Sequence, residues 1–170
     1  GGLQVWPIQQ SAGGRWSLGS PRDLPVPESL PCVQDVSLGS LGTVAAAGHG
    51  LAFVTPLDET SGIGPTVTHP GANRCAISPD GRWLVTSGTQ AAGLRIWDTD
   101  YGRLARELFL DRDDAVAVFS PDGRMLFAGV AGDYGFWDCD AWERAHDYYL
   151  SHHVTFSDIQ EHRPLPLREL

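Results

Sequence analysis

Apolar positions along the chain gather into short runs of β-favouring residues, each closed by turn residues. Trp83-Leu84-Val85-Thr86-Ser87 and Gly93-Leu94-Arg95-Ile96-Trp97 are two such runs, and their make-up and bounds predict strands. Pro79-Asp80-Gly81 leads into the first, and Pro121-Asp122-Gly123 repeats the phrase later. In such a turn proline presets φ at the first corner, the Asp side chain bonds nearby backbone, and glycine takes a conformation that side chains resist. Further strands are predicted over Arg103 to Leu110 and Trp142 to Leu150. Ala141, Ala145 and Tyr148-Tyr149 also fit one helical stripe, but their place in the pattern matches Arg103 to Leu110 and favours an outer strand.

The pattern is periodic. Cys75-Ala76-Ile77-Ser78-Pro79-Asp80-Gly81-Arg82 recurs as Val118-Phe119-Ser120-Pro121-Asp122-Gly123-Arg124, with Ser78 and Ser120 42 positions apart. Ile96-Trp97-Asp98 recurs as Phe136-Trp137-Asp138, 40 positions on. Both markers give a period near 41 residues, and a period of this length is the signature of stacked structural units. Upstream, Val36-Ser37-Leu38-Gly39-Ser40 followed by Thr43 to Gly48 mirrors the same phrase, with Ser37 aligned to Ser78. Leu3-Gln4-Val5-Trp6 matches Leu94 to Trp97, and downstream Val154-Thr155-Phe156-Ser157 opens the phrase again. Each repeat therefore reads as four strands, the third ending at Trp-Asp.

Composition narrows what such an array can do. The chain has 170 residues, 12 basic and 21 acidic, for a formal net charge of −9. All the basic residues are arginine. This balance opposes nucleic acid and anionic membranes as partners, since phosphate neutralisation supplies most of those affinities. No apolar run is long enough to span a bilayer, and the first residues are not a basic region followed by an apolar one. The expected location is cytoplasmic, or else a leader has already been removed. Cys32, Cys75 and Cys139 form no Cys-x-x-Cys pair and read as small buried hydrophobes in a reducing compartment.

A period of 40 to 45 residues, four strands per unit and a closing Trp-Asp resemble the WD-repeat β-propeller family. The resemblance rests on Ser78, Asp80, Gly81, Trp97 and Asp98 in one repeat and on Ser120, Asp122, Gly123, Trp137 and Asp138 in the next. The Ser-Pro-Asp-Gly-Arg form looks most like repeats of bacterial multidomain proteins. The resemblance implies an all-β fold of four-stranded antiparallel blades: three complete blades at about 32–73, 74–113 and 114–151, with partial blades at 1–31 and 152–170. It also implies that Trp97 and Trp137 are core, with Trp6 as their counterpart and Phe53 at the equivalent place in the eroded blade. Family blades join a Gly-His, a Ser/Thr, the Trp and a turn Asp in a buried hydrogen-bond network. Here Thr68-His69 and Asp111 stand for Gly-His, and the turn Thr89-Gln90-Ala91-Ala92-Gly93 has no Asp, although Asp133 is available in the next blade. Apolar packing is therefore expected to outweigh polar networks.

The sequence carries little chemistry. His49, His69, His146, His152, His153 and His162 fall in no metal-binding spacing, and no nucleophile elbow or phosphate loop follows a strand. Asp111-Arg112-Asp113-Asp114 reads as a solvated loop with internal charge pairing. Trp16 and Trp142, on or near outer strands, are read as packing residues with some claim to a partner surface. The expectation is a non-catalytic scaffold or sensor module without cofactor or metal, part of a larger protein or of a multi-chain propeller. Its candidate rim is Asn73, Arg74, Asp113, Asp114, His152 and His153, its partners a protein or peptide and further blades on the same or another chain. The alternative is a metal-dependent propeller hydrolase. That reading needs inward-facing ligands at one level, where the sequence offers Ala76, Ile77, Ala117 and Val118.

Overall fold

A computed structural model describes residues 2–58, 62–90, 93–108, 113–130, 133–139 and 154–155. Every regular element among them is a strand. The first four-stranded sheet meanders through β5 (Asp35–Leu38), β6 (Thr43–Gly48), β7 (Leu51–Pro56) and β8 (Thr66–Thr68). The second runs through β9 (Ala72–Ile77), β10 (Trp83–Gly88), β11 (Leu94–Asp98) and β12 (Arg103–Leu108). The third holds β13 (Val116–Phe119), β14 (Met125–Val130), β15 (Asp133–Asp138) and β16 (Val154–Thr155). All pairings are antiparallel between neighbours in each sheet.

The turns between the first and second strands explain why the repeat phrase is what it is. Ser78 Oγ donates to Asp80 Oδ1 (2.5 Å) and accepts the Trp83 amide (2.8 Å), while the same carboxylate oxygen accepts the Arg82 amide (3.1 Å). Ser120, Asp122, Arg124 and Met125 repeat this at 2.5, 3.1 and 2.9 Å. Gly81 sits at φ +79°, and a Cβ there would stand 3.0 Å from Thr43 Oγ1. Only glycine meets both demands without strain.

The first sheet departs from the expected alignment. Leu38 pairs with Val44 as Ile77 pairs with Leu84 and Phe119 with Leu126. The Gly39 amide bonds Thr43 O, just as Ser78 bonds Trp83 and Ser120 bonds Met125. Gly39, not Ser37, is thus the equivalent of Ser78, because this turn is one residue shorter. The shift also moves the Trp position. Trp97 pairs with Leu84 and Trp137 with Leu126, while Val44 pairs with Thr55. Thr55 therefore occupies the place expected for Phe53, and Phe53 fills the same face of β7 two residues earlier, fully buried.

Before these sheets lie β1 (Leu3–Val5), β2 (Ile8–Gln10), β3 (Trp16–Leu18) and β4 (Arg22–Leu24). β1 pairs with β4 through Leu3↔Leu24 and Gln4↔Asp23, which reproduces Leu94↔Leu108 and Arg95↔Glu107 between β11 and β12. Even the side-chain pairing is copied: Gln4 donates to Asp23 at 3.0 Å where Arg95 meets Glu107 at 2.8 Å. The β1–β4 pair is the outer half of a blade, with the hairpin β2–β3 inserted between its strands. Trp6 is nonetheless 49% exposed, against 7% for Trp97 and 1% for Trp137. It does not serve as core, because no described sheet stacks on it. Trp16, on the hairpin, is also exposed rather than packed.

Sheets stack by setting bulk against small side chains. Leu84 and Trp97 pack on Ala45, Ala52 and Val54 of the first sheet. Leu126 and Trp137 pack on Ala76, Val85 and Ile96 of the second. Leu3 and Val26 lie against Ala46, Phe53 and Leu30. Replacing either buried Trp with alanine would cost about 3–5 kcal/mol. Polar groups also join the stack: the inner edge of β9 gives its Cys75 amide to Asp35 Oδ2 (2.9 Å) and its Ile77 amide to Ser37 Oγ (3.1 Å).

One buried polar network stands beside the apolar packing. Thr86 Oγ1 accepts the Trp97 indole N–H at 2.9 Å and lies 2.8 Å from His69 Nδ1. The counterparts of Thr86 are Ala46 and Ala128, so this network belongs to the second sheet. At the other end, the repeat predicts a new blade opening at Val154 to Ser157. Val154–Thr155 instead pairs with β15 as a fourth strand, taking backbone groups that an open edge would leave unpaired. The expected outer strand Trp142 to Leu150, its helical alternative and the rest of 152–170 lie outside the described residues.

Candidate functional site

One end of the sheet stack collects the links into β9 and β13 together with the turns β6–β7 and β10–β11. These segments are tied by backbone bonds: Gly50 N to Ala72 O, His69 N to Gly50 O, Thr89 N to Gly71 O and Asp114 N to Gly88 O, at 2.9 to 3.2 Å. Two glycines make the closeness possible. A Cβ on Gly88 would fall 2.3 Å from Gly71 O, and one on Gly71 would fall 2.8 Å from the Gln90 amide. Loops held on a rigid strand scaffold in this way suit recognition.

On this end Arg74 Nε meets Asp114 Oδ1 at 2.9 Å, and Arg74 Nη2 reaches Oδ2 at 3.5 Å. Asp114 adopts a left-handed backbone, φ +64°. The Arg74 hydrogen bond holds the Asp114 carboxyl below the usual carboxylate range, helped by the arginine charge and the Asn73 amide and opposed by slight burial. Arg74 is raised in turn, chiefly by its bond to Asp114. Asn73 Oδ1 is enclosed and has no hydrogen-bond partner among the described residues. Asn73, Arg74 and Asp114 thus form one cluster that links the second sheet to the third. Asp113 is exposed beside it. His152 and His153 lie outside the described residues.

A groove of about 460 Å³ runs inward from this cluster along β5, β9 and β13. Asp35, Ser37, Arg74, Cys75, Val118 and Ser120 are among its lining residues. Sequence reasoning named Ser37 and Ser120 as parts of the repeat phrase and Arg74 as a rim residue, but it did not bring them together here and it missed Asp35, which belongs to no motif. The Cys75 thiol is pushed far up, first by burial and then by the Asp35 charge, which keeps it in the thiol form. A second pair escaped sequence reasoning as well: His49 Nε2 lies 3.1 Å from Cys32 Sγ on the same end, with His49 at φ +49°. Nothing in the spacing of 32 and 49 signals that pair. Among the described residues no group of three or more His, Cys, Asp or Glu side chains is gathered as a metal site. No described helix is long and apolar enough to cross a membrane.

No known family profile matches the chain. Solved structures do. The chain is similar to Kuenenia stuttgartiensis hydrazine synthase with TM-score 0.59 and 14% identity, over 76% of this chain and 36% of that one. It is similar to Kluyveromyces lactis Hsv2 with TM-score 0.53 and 22% identity, over 61% of this chain and 36% of that one. A second structure of Kluyveromyces lactis Hsv2 gives TM-score 0.53 and 23% identity, over 66% and 39%. The chain spans little more than a third of these structures. Both proteins are known β-propellers. Together with the four-stranded antiparallel sheets, these similarities make the fold that of a partial β-propeller.

Proposed function

We propose that the chain is a non-catalytic interaction module of the WD-repeat propeller kind, binding a protein or peptide at the end that carries Asn73, Arg74, Asp113 and Asp114. What carries this reading is the Arg74–Asp114 pair, which joins two sheets at 2.9 Å on an end built of tied loops. The WD-repeat kinship is supported by the Ser-Pro-Asp-Gly-Arg turns and by the His69–Thr86–Trp97 network. The module works without cofactor or metal in the cytoplasm, as a sensor or scaffold of a larger protein or of a multi-chain propeller. Its negative charge steers basic or mixed partner surfaces toward the rim, chiefly through association rate.

The test is affinity purification from the native source with wild type and with an Asp113→Arg/Asp114→Arg variant. Exposed ion pairs contribute at most about 1 kcal/mol, so the variant folds. Loss of the partners recovered by wild type is the expected result. Full recovery by the variant, with thermal unfolding unchanged, would remove this rim from the account.

A further inference from the structure

The turn between β6 and β7 holds a histidine in a fixed place. Gly48 pairs with Leu51, so His49 and Gly50 alone make the connection, and both have positive φ, +49° and +83°. Two such residues in succession are the tight hairpin turn whose twist matches that of its strands. Hydrogen bonds tie this turn to the link that enters β5. The His49 amide donates to Gln34 Oε1 at 3.1 Å, and the Gln34 amide donates to Ala47 O at 2.8 Å. Gly48 lets the link lie close, since a Cβ there would collide with Cys32 O. A further bond, from the Gly50 amide to Ala72 O at 3.0 Å, fixes the turn to the second sheet.

Across these ties His49 Nε2 lies 3.1 Å from Cys32 Sγ, within hydrogen-bond reach. Cys32 is half-buried and His49 is exposed, so a small reagent has access to the pair. The other cysteines are placed differently. Cys139 is buried, and burial with the Asp35 charge keeps Cys75 in the thiol form. A thiol becomes a nucleophile by losing its proton, and an imidazole within reach is the side chain suited to take it. The proton then rests on Nε2 beside the sulfur, ready for a leaving group displaced there.

We propose that Cys32 and His49 form a modification site for hydroperoxides, at which Cys32 is oxidised to a sulfenic acid. His49 Nε2 takes the Cys32 proton. The Sγ lone pair attacks the nearer peroxide oxygen, so the S–O bond forms as the O–O bond breaks. Sulfur is oxidised by two electrons and the peroxide is reduced by two. The departing oxygen recovers the proton from His49 and leaves as water or an alcohol, and the imidazole is neutral again. A hydroperoxide fits this pair because its leaving oxygen is strongly basic, and a proton is what the pair has to give. Small thiols return the sulfenic acid to the thiol through a mixed disulfide, so the modification is reversible. The site is separate from the recognition cluster, because neither residue belongs to Asn73, Arg74 and Asp114.

Treatment of the full 170-residue chain with hydrogen peroxide tests this, with the sulfenic acid trapped by dimedone and located by mass spectrometry. Cys32 is expected to carry the adduct, and Cys75 and Cys139 to remain unlabelled. His49→Asn removes the imidazole and keeps the turn, since asparagine is favoured where φ is positive; thermal unfolding checks that it does. Its Cys32 oxidation is expected to slow about 100-fold, the scale of general acid–base assistance. His49→Gly suits the same turn and is expected to behave alike. Alkylation by iodoacetamide, whose iodide leaves without a proton, should slow less in both variants. Absence of the adduct at Cys32 overturns the proposal. So does an unchanged oxidation rate in folded His49→Asn and His49→Gly, or equal slowing of the two reagents.

Discussion

Thr86 serves two buried partners at once. Its hydroxyl accepts the Trp97 indole N–H and is hydrogen-bonded as well to Nδ1 of His69. Thr86→Val keeps the shape and removes the hydroxyl, stranding both partners. Buried groups left unpaired cost about 1–3 kcal/mol each, so denaturant unfolding should show a loss of about 2–6 kcal/mol. The His69 pKa lies below its ordinary value of 6.5, chiefly through burial and then through the Arg95 charge. The unfolded ring takes up a proton near that ordinary value while the folded ring resists. Below it the unfolded state binds more protons, so this contribution is complete above the ordinary pKa and declines as pH falls toward the folded value. Melting temperature should drop between pH 7 and pH 5 in wild type and drop less in His69→Gln. Cysteine reactivity follows the same logic of burial. Brief alkylation of the native protein, read by mass spectrometry, should label Cys32 and spare Cys75.

At the scale of elements, the Ser-Pro-Asp-Gly-Arg turns were legible in the sequence because everything they need is local. The hydroxyl, the carboxylate and the positive-φ glycine lie within six consecutive residues. Ser78→Ala should cost about 1–2 kcal/mol in denaturant unfolding, since both the Asp80 contact and the Trp83 amide bond depend on its hydroxyl. Asp80 is held below the usual carboxylate range despite the opposing effect of burial, through its bonds from Ser78 and the Arg82 amide. Its contribution is present above the unfolded carboxylate pKa and lost as pH falls below it. The first sheet was harder to read. Its turn lacks Pro-Asp-Gly and is a residue shorter, so only the pairing of Leu38 with Val44 reveals that Thr55 holds the Trp position. The misalignment is two residues, Ser37 for Gly39 and Phe53 for Thr55, and a two-residue shift keeps every side chain on its face, so the apolar pattern along the strand does not reveal it. Arg74 and Asp114 were each placed on the rim, but their pairing was not legible. They are 40 positions apart, and the packing of the second sheet against the third brings them together.

For the whole molecule, the succession of four-stranded sheets and the burial of Trp97 and Trp137 followed from the repeat. The exposure of Trp6 did not, because a tryptophan at a blade position is buried only when another sheet covers it. The rim needs no metal in this account. Elemental analysis of the purified chain should find no stoichiometric calcium or zinc, and chelation should leave the melting temperature unchanged. Bound metal released together with stability would instead favour a metal-dependent activity. The claim that matters most is recognition at the Arg74–Asp114 end, and binding to an immobilised peptide library measures it directly. Wild type should retain a set of basic or mixed-charge peptides that Asp114→Arg loses, with affinity weakening as salt rises. Peptides bound equally by both proteins, or none bound by either, would contradict it.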